Sequence, residues 1–245
     1  MNSANFLGVL FLIGGSADST LTRFVELSGG KDAFIVILPH ASGIPEEVSL
    51  KLTKTLTDLG AGKCLTILPG ENKSLPREAT AVYFTGGDQS RLVKDIGAEL
   101  LQQVTDFLQA GGVVGGTSAG AAVAAATMIA GGMDDGLLRS GALLLEPGFG
   151  LLPGCIIDTH VKQRERTDRL MAAVSLVDHV IGIGLDEDTA VEIKDGIAKA
   201  CGAGHVRVYR RSASHKSTLV AGQDKRASVF DMTVSVLSEG GEVKL

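Results

Sequence analysis

The apolar residues of this chain come in two spacings. Short runs that are hydrophobic at every position alternate with stretches in which apolar residues recur every three or four places. Residues 6–13 form the first unbroken run, which ends at Gly14-Gly15, and residues 21–27 carry helical spacing up to Gly29-Gly30. The run AFIVIL at 33–38 is the second predicted strand. Pro45 opens a helix over 45–59, with Val48, Leu52, Leu56 and Leu59 on one face and Gly60 as its stop. Residues 63–68 (KCLTIL) supply a third strand, and a polar, proline-containing connection leads to a fourth at 81–85, halted by Gly86-Gly87. Residues 88–109 read as helix with a break at Gly97, and Val113-Val114 as a buried strand that Gly115-Gly116 ends. Strands that are apolar throughout and alternate with helices belong to a parallel sheet covered on both faces.

The second half changes rhythm. CIID (155–158) reads as a strand and 162–174 as a helix. From Val180 onward the runs VIGIGL, TAVEIK, IAKACG, HVRVYR and SVFDMTVSVL follow closely, with glycine breaks that suggest antiparallel strands. No linker-like composition, repeat or low-complexity segment divides the two halves. The expectation is one domain over residues 1–245: an α/β fold whose mostly parallel central sheet is flanked by helices and carries a C-terminal antiparallel extension.

The most informative stretch is GGVVGGTSAGAAVAAA at 111–126. A strand leads into Gly116-Thr117-Ser118-Ala119-Gly120, and an alanine-rich segment at 119–126 predicts a helix beyond it. G-x-S-x-G between strand and helix is the context of a nucleophile elbow, in which the serine occupies a strained turn and its hydroxyl is held at the mouth of the sheet. The amide of Ala119 could then face an oxyanion, where the helix dipole also favours negative charge. The plainer alternative is a tight strand–helix turn with glycine and serine present for packing.

Composition narrows the field. With 245 residues, of which 44% are hydrophobic, the chain can bury one large core. The net charge of −5 is spread along the chain, and no basic field points to nucleic acid. No apolar run approaches the ~18 residues of a membrane span. The N-terminal run lacks a basic n-region and a cleavage site, so a soluble, cytoplasmic protein is expected. Cys64, Cys155 and Cys201 are too few and scattered for a disulfide framework and read as buried free thiols. No metal or cofactor is expected. The turns Gly14-Gly15-Ser16 and Gly86-Gly87-Asp88-Gln89 are not dinucleotide fingerprints, and no phosphate-binding P-loop occurs.

In parallel sheets chemistry gathers at the carboxyl ends of the strands. Both glycine turns and the elbow should share that rim, with Gly87 and Asp88 as further backbone oxyanion donors. A serine nucleophile needs a base, and five histidines compete. His160 follows the strand CIID and His40 follows AFIVIL; position favours His160 modestly. His205 and His215 belong to the late strands, and a helix cap explains His179. Asp134-Asp135, Asp158 and the cluster Asp186-Glu187-Asp188 are all candidate acids, and spacing does not separate them. Beyond His160, Arg164, Arg166 and Arg169 read as one helical segment with Glu165 pairing Arg169 at i, i+4. They are either a solvated, salt-bridged face or a carboxylate-binding set.

Four ordered motifs carry a resemblance. FTGGDQ (84–89), GGTSAGA (115–121), IDTHVKQRERTDRL (157–170) and GIGLDEDTA (182–190) resemble the cyanophycinases and their aspartyl-dipeptidase-like relatives, and the opening LIGG and closing SVLSEGGEVKL fit as well. The resemblance implies a serine peptidase on an α/β sandwich akin to class I glutamine amidotransferases. It implies Ser118 as nucleophile, His160 as base and Glu187 as acid, with Gln89, Asp158, Thr159, Arg164, Arg166 and Arg169 around the substrate. The implied substrate is cyanophycin, a polyaspartate bearing arginine in isopeptide linkage, cut to β-Asp-Arg dipeptides. Homodimers occur among cyanophycinases, so a homodimer is an assembly the resemblance allows but the sequence does not decide. Two positions depart from that pattern: Thr159 stands where cyanophycinases typically carry glutamine, and Glu165 where they carry glycine. Both bear on the substrate and leave the triad untouched.

Three functions remain to be weighed. The first is a serine exopeptidase acting on the β-Asp-Arg polymer. The second is an α-aspartyl dipeptidase or other small-peptide hydrolase with the same triad, although the resemblance implies that aspartyl dipeptidases take their acid from shortly after the nucleophile, here near Asp134-Asp135. The third is a non-enzymatic binding relative, which would have no need of Ser118, His160 and Glu187 together. All three cysteines lie outside the elbow, which argues against a cysteine-dependent glutaminase.

Overall fold

The computed structural model describes residues 6–16, 19–132, 138–139, 141, 143–223 and 225–245. Five strands, β1 (Val9–Ile13), β2 (Phe34–Leu38), β3 (Lys63–Thr66), β4 (Ala81–Phe84) and β5 (Val113–Thr117), run parallel. Helices α1 (Thr20–Leu27), α2 (Pro45–Asp58), α3 (Gln89–Asp95) and α4 (Ala98–Gln109) connect them, except between β3 and β4. After the short α5 (Ala119–Ala122) come a hairpin of β6 (Thr127–Gly131) and β7 (Leu144–Pro147), then β8 (Cys155–Thr159), α6 (Thr167–Leu176) and β9 (Ile181–Leu185). The chain ends in β10 (Thr189–Lys194), β11 (Ile197–Gly202), β12 (Val206–Ser217), β13 (Val229–Leu237) and β14 (Glu242–Lys244).

The main sheet has the order β14-β11-β10-β1-β5-β4-β2-β3, with β10, β11 and β14 antiparallel beside the parallel block. Alternate residues of its strands face opposite layers, as the pleat requires. Leu10, Leu12, Val36, Leu38, Val82 and Phe84 pack against α3, α4 and a second sheet. Phe11, Ile13, Ile35, Ile37 and Tyr83 pack with Phe24 of α1 and Leu56 of α2. The second sheet, β13-β12-β9-β8, carries α6 on its other face through Leu170, Val174 and Tyr209. Among the described residues no helix is long and apolar enough to cross a membrane.

The structure departs from the sequence reading at several points. The antiparallel extension is divided between two sheets, and VIGIGL, as β9, runs parallel to β8 while pairing antiparallel with β12. The alanine-rich helix stops at Ala122, because the carbonyls of Val123, Ala124, Ala125 and Ala126 accept bonds from Phe149, Leu152, Gly150 and Gly148 at 2.6–3.0 Å. Tertiary hydrogen bonds there override alanine's helix preference. Helix α6 begins at Thr167, five residues later than expected, because the chain from His160 to Arg166 is a turn with Glu165 at φ 51°. Glu165 therefore lies outside the helix and does not pair with Arg169 in an i, i+4 register. The glycines after Val114 continue β5 rather than ending it: a Cβ on Gly115 would lie 2.5 Å from the Phe24 ring. Gly97, at φ 73°, does separate α3 from α4. Cys155 and Cys201 are buried, but Cys64, on a sheet edge, is only partly so.

Candidate active site

The strand ends bring the three glycine-containing turns to one rim, since Ile13 is level with Thr117 and Phe84 with Gly116. Ser118 sits between β5 and α5 at φ 53°, ψ −113°, a conformation that costs about 1–3 kcal/mol and persists only where neighbours hold it. They do. Its N–H donates to the Ile13 carbonyl (2.9 Å), and its own carbonyl accepts from Ala121 and Ala122 (3.0 and 2.9 Å). The glycines of G-x-S-x-G are there for clearance. A Cβ on Gly116 would lie 2.3 Å from the Gly120 carbonyl oxygen, and one on Gly120 would lie 2.4 Å from that of Phe84.

His160 directly follows β8 and is itself left-handed at φ 56°. Its N–H donates to the Gly14 carbonyl at 2.8 Å, which ties the second sheet to the end of β1. The imidazole Nε2 is 2.8 Å from Ser118 Oγ, and Nδ1 is 2.7 Å from Glu187 Oε1. The Glu187 carboxylate fixes the proton on Nδ1 and leaves Nε2 to accept from the serine hydroxyl. His160 ionises below the ordinary imidazole range. Burial is the largest cause, the hydrogen bond to Glu187 opposes it, and the charges of Arg164 and Arg166 add to it. His40 lies 2% exposed in the core, with no partner for Nδ1 among the described residues. Asp134 and Asp135 lie outside the described residues.

A family model described as "Peptidase family S51" matches residues 10–201. The chain belongs to peptidase family S51. Membership makes it a serine-type peptidase, and relatives named cyanophycinase resemble it along nearly its whole length. The cyanophycinase of Geminocystis herdmanii is 34% identical, over 94% of this chain and 91% of the relative. That of Synechococcus elongatus is 30% identical, over 95% and 78%. A solved peptidase from an acI-B1 Actinobacterium shares the fold at a TM-score of 0.69, with 20% identity and 99% coverage of both chains. A putative peptidase E from Listeria monocytogenes follows at 0.59 with 18% identity, over 80% of this chain and 99% of its own.

In this S51 chain a cavity of about 190 Å³ opens beside Ser118. Gln89, Asp158, Thr159, Arg164, Arg166 and Arg169 all border it. Their bonding divides them. Asp158, 2% exposed, receives Arg169 Nε at 2.9 Å and Nη2 at 2.5 Å, and its Oδ1 lies 3.8 Å from Arg166 Nη1. Arg166 Nη1 also donates to the Thr159 carbonyl (2.9 Å). Gln89 Nε2 donates to the carbonyls of Ile129 and Ala130, both at 3.0 Å, and so pins the β6–β7 hairpin to the cavity wall. Arg164 alone of the three arginines is exposed.

The backbone donors need one correction. Gly87 and Ala119 border the cavity, and Ala119 opens α5, so its N–H has no intrahelical acceptor. The Asp88 N–H, expected to help, donates instead to the Ala41 carbonyl at 2.9 Å. The Asp88 side chain caps α3 through the amides of Ser90 and Arg91. Gly87 itself, at φ 142°, packs so closely that a Cβ would lie 2.1 Å from the same Ala41 oxygen.

Two contributors escaped the sequence reading. Gly15 looked like an ordinary turn residue, yet its α-carbon lies against the His160 ring. The hairpin residues Ile129, Ala130 and Gly131 border the cavity, but the alanine-rich pattern before them masked the change from helix to strand.

Proposed function

We propose that this chain is a serine exopeptidase that hydrolyses aspartyl peptide bonds through an acyl-enzyme, with cyanophycin as its substrate and β-Asp-Arg as its product. The observation that carries the reading is the continuous chain Ser118 Oγ–His160–Glu187, at 2.8 and 2.7 Å, opening into an arginine-lined cavity. Ser118 attacks the scissile carbonyl while His160 Nε2 takes its proton. Glu187 stabilises the imidazolium that forms. The amides of Ala119 and Gly87 receive the oxyanion. His160 returns the proton to the leaving amine, and water then releases the acyl group by the same route.

The cyanophycinase relatives favour the polymer as substrate. So does the charge of the cavity, where the exposed Arg164 suits a carboxylate next to the scissile bond. Asp158, Arg166 and Arg169 act as the preformed wall behind it. The reading takes residues 1–245 as one peptidase domain, supported by a core that joins Leu12 and Phe84 of the main sheet to Ile157 and Val206 of the second.

Purified protein incubated with cyanophycin should release β-Asp-Arg, detected by mass spectrometry, faster than it cleaves α-Asp dipeptides. Ser118→Ala should lower turnover by about six orders of magnitude, and a serine-reactive phosphonate should label Ser118. Turnover unaffected by Ser118→Ala would end the acyl-enzyme reading. Cleavage of α-Asp dipeptides alone would replace the polymer with a dipeptide substrate.

A further inference from the structure

Asp186 is 0% exposed and stands one residue before Glu187. It does not border the cavity, yet its carboxylate accepts three hydrogen bonds from two segments, the turn after His160 and the start of β12. The Lys162 N–H, in the turn that follows His160, donates to Oδ1 at 3.1 Å. Arg207 Nη1 of β12 donates to the same oxygen at 2.5 Å, and the His205 N–H donates to Oδ2 at 3.1 Å. A second tie runs in the opposite direction. The Glu187 N–H donates to Oε1 of Gln163, three residues past His160, at 3.1 Å. No space is left around these ties: a Cβ on Gly14 would lie 2.1 Å from the Asp186 carbonyl oxygen, and one on Gly204 would lie 2.8 Å from the Asp186 Cβ.

We propose that Asp186 is a positioning residue for the peptidase reaction. Helped by Gln163, it holds the turn carrying His160 against the turn carrying Glu187, so that Nδ1 meets the carboxylate. The proposal rests on the reading of His160 as base and Glu187 as its orienting acid. The two turns leave different strands, and both hold left-handed residues, His160 at φ 56° and Asp188 at φ 49°. Such conformations survive only under outside restraint. A carboxylate suits the task because it only accepts, and both oxygens can serve donors at once. An amide of the same shape must turn its own NH₂ toward one of the three donors. Arg207 supplies the countercharge that a buried carboxylate needs.

In the intact chain, Asp186→Asn is expected to lower kcat about 100-fold with KM changed less than about twofold, the scale for a displacement of about 1 Å near the chemistry. Asp186→Asn with Arg207→Met removes the guanidinium left unpaired, and should restore thermal stability without restoring kcat. An ion pair that only braces the fold would recover both, which overturns the proposal. Proton NMR supplies a readout independent of turnover: the downfield His160 Nδ1–H signal of an imidazole held on a carboxylate. That signal should be present in the wild type and lost or shifted in Asp186→Asn and Gln163→Ala; an unchanged signal in both variants also overturns the proposal. A wild type that neither hydrolyses peptides nor reacts with the serine-reactive phosphonate would fail the serine-peptidase reading instead, while the same signal would still report on the tie.

Discussion

Gly15 and His160 are in such close contact that a methyl group on the glycine would fall 2.2 Å from imidazole Cε1 and 2.5 Å from Nδ1. Gly15 also holds a positive φ of 137°, where a side chain is strained whatever the space. Gly15→Ala must therefore push the ring off the line between Ser118 and Glu187. We expect kcat to fall about 100-fold, with substrate affinity nearly unchanged. Wild-type kcat in this variant would show that contact with Gly15 does not set the position of the ring.

The acid is tested by exchange of one atom. Glu187→Gln keeps the shape of the side chain but gives up the charge that stabilises the imidazolium, and should lower kcat by about four orders of magnitude. Asp134→Asn and Asp135→Asn should leave turnover near wild type. The opposite ranking would transfer the acid role to that pair.

The lowered pKa of His160 sets the acid limb of kcat/KM below about pH 6.5, the ordinary imidazole value. Arg164 is one of the charges that press it down, so Arg164→Gln should move the limb upward. The same shift affects folding. An unfolded chain takes up this proton at a higher pH than the folded one, so this contribution to stability is complete above about pH 6.5 and declines as pH falls through the folded value. A limb that stays in place in Arg164→Gln would deny the electrostatic coupling.

Arg164 and Arg169 should behave differently when each is changed to lysine. Arg169 gives both prongs of its fork to the buried Asp158, so Arg169→Lys should cost about 1–3 kcal/mol of stability, measured by denaturant unfolding. Arg164 is exposed, and Arg164→Lys should change stability by less than about 0.5 kcal/mol. If it holds a substrate carboxylate, kcat/KM on the β-Asp-Arg polymer should still drop about tenfold or more, because lysine cannot form the bidentate contact. Equal stability losses in the two variants would contradict this division of labour.

Much of the site is readable in local sequence because its geometry is local. A strand, a G-x-S-x-G turn and alanines predict where Ser118 stands, since clearance at Gly116 and Gly120 is settled within a few residues. A strand that opens on an apolar run and is followed at once by His160, or by Asp186 and Glu187, likewise places those side chains at strand ends. What local pattern does not contain is the partner of each strand and of each polar group. VIGIGL has the same alternation whether it pairs parallel or antiparallel, and only its packing on β8 and β12 decided that it joins a second sheet. The alanines after Ala122 were drawn out of a helix by a loop more than twenty residues later. Arg169 could have bound substrate or a neighbour, and the fold set it on Asp158. Asp88 could have offered its amide to an oxyanion, and the fold gave that amide to Ala41. Local sequence determines which groups are available. Because a buried hydrogen bond must be completed by whatever the fold brings within reach, only the tertiary structure decided which of them are already engaged.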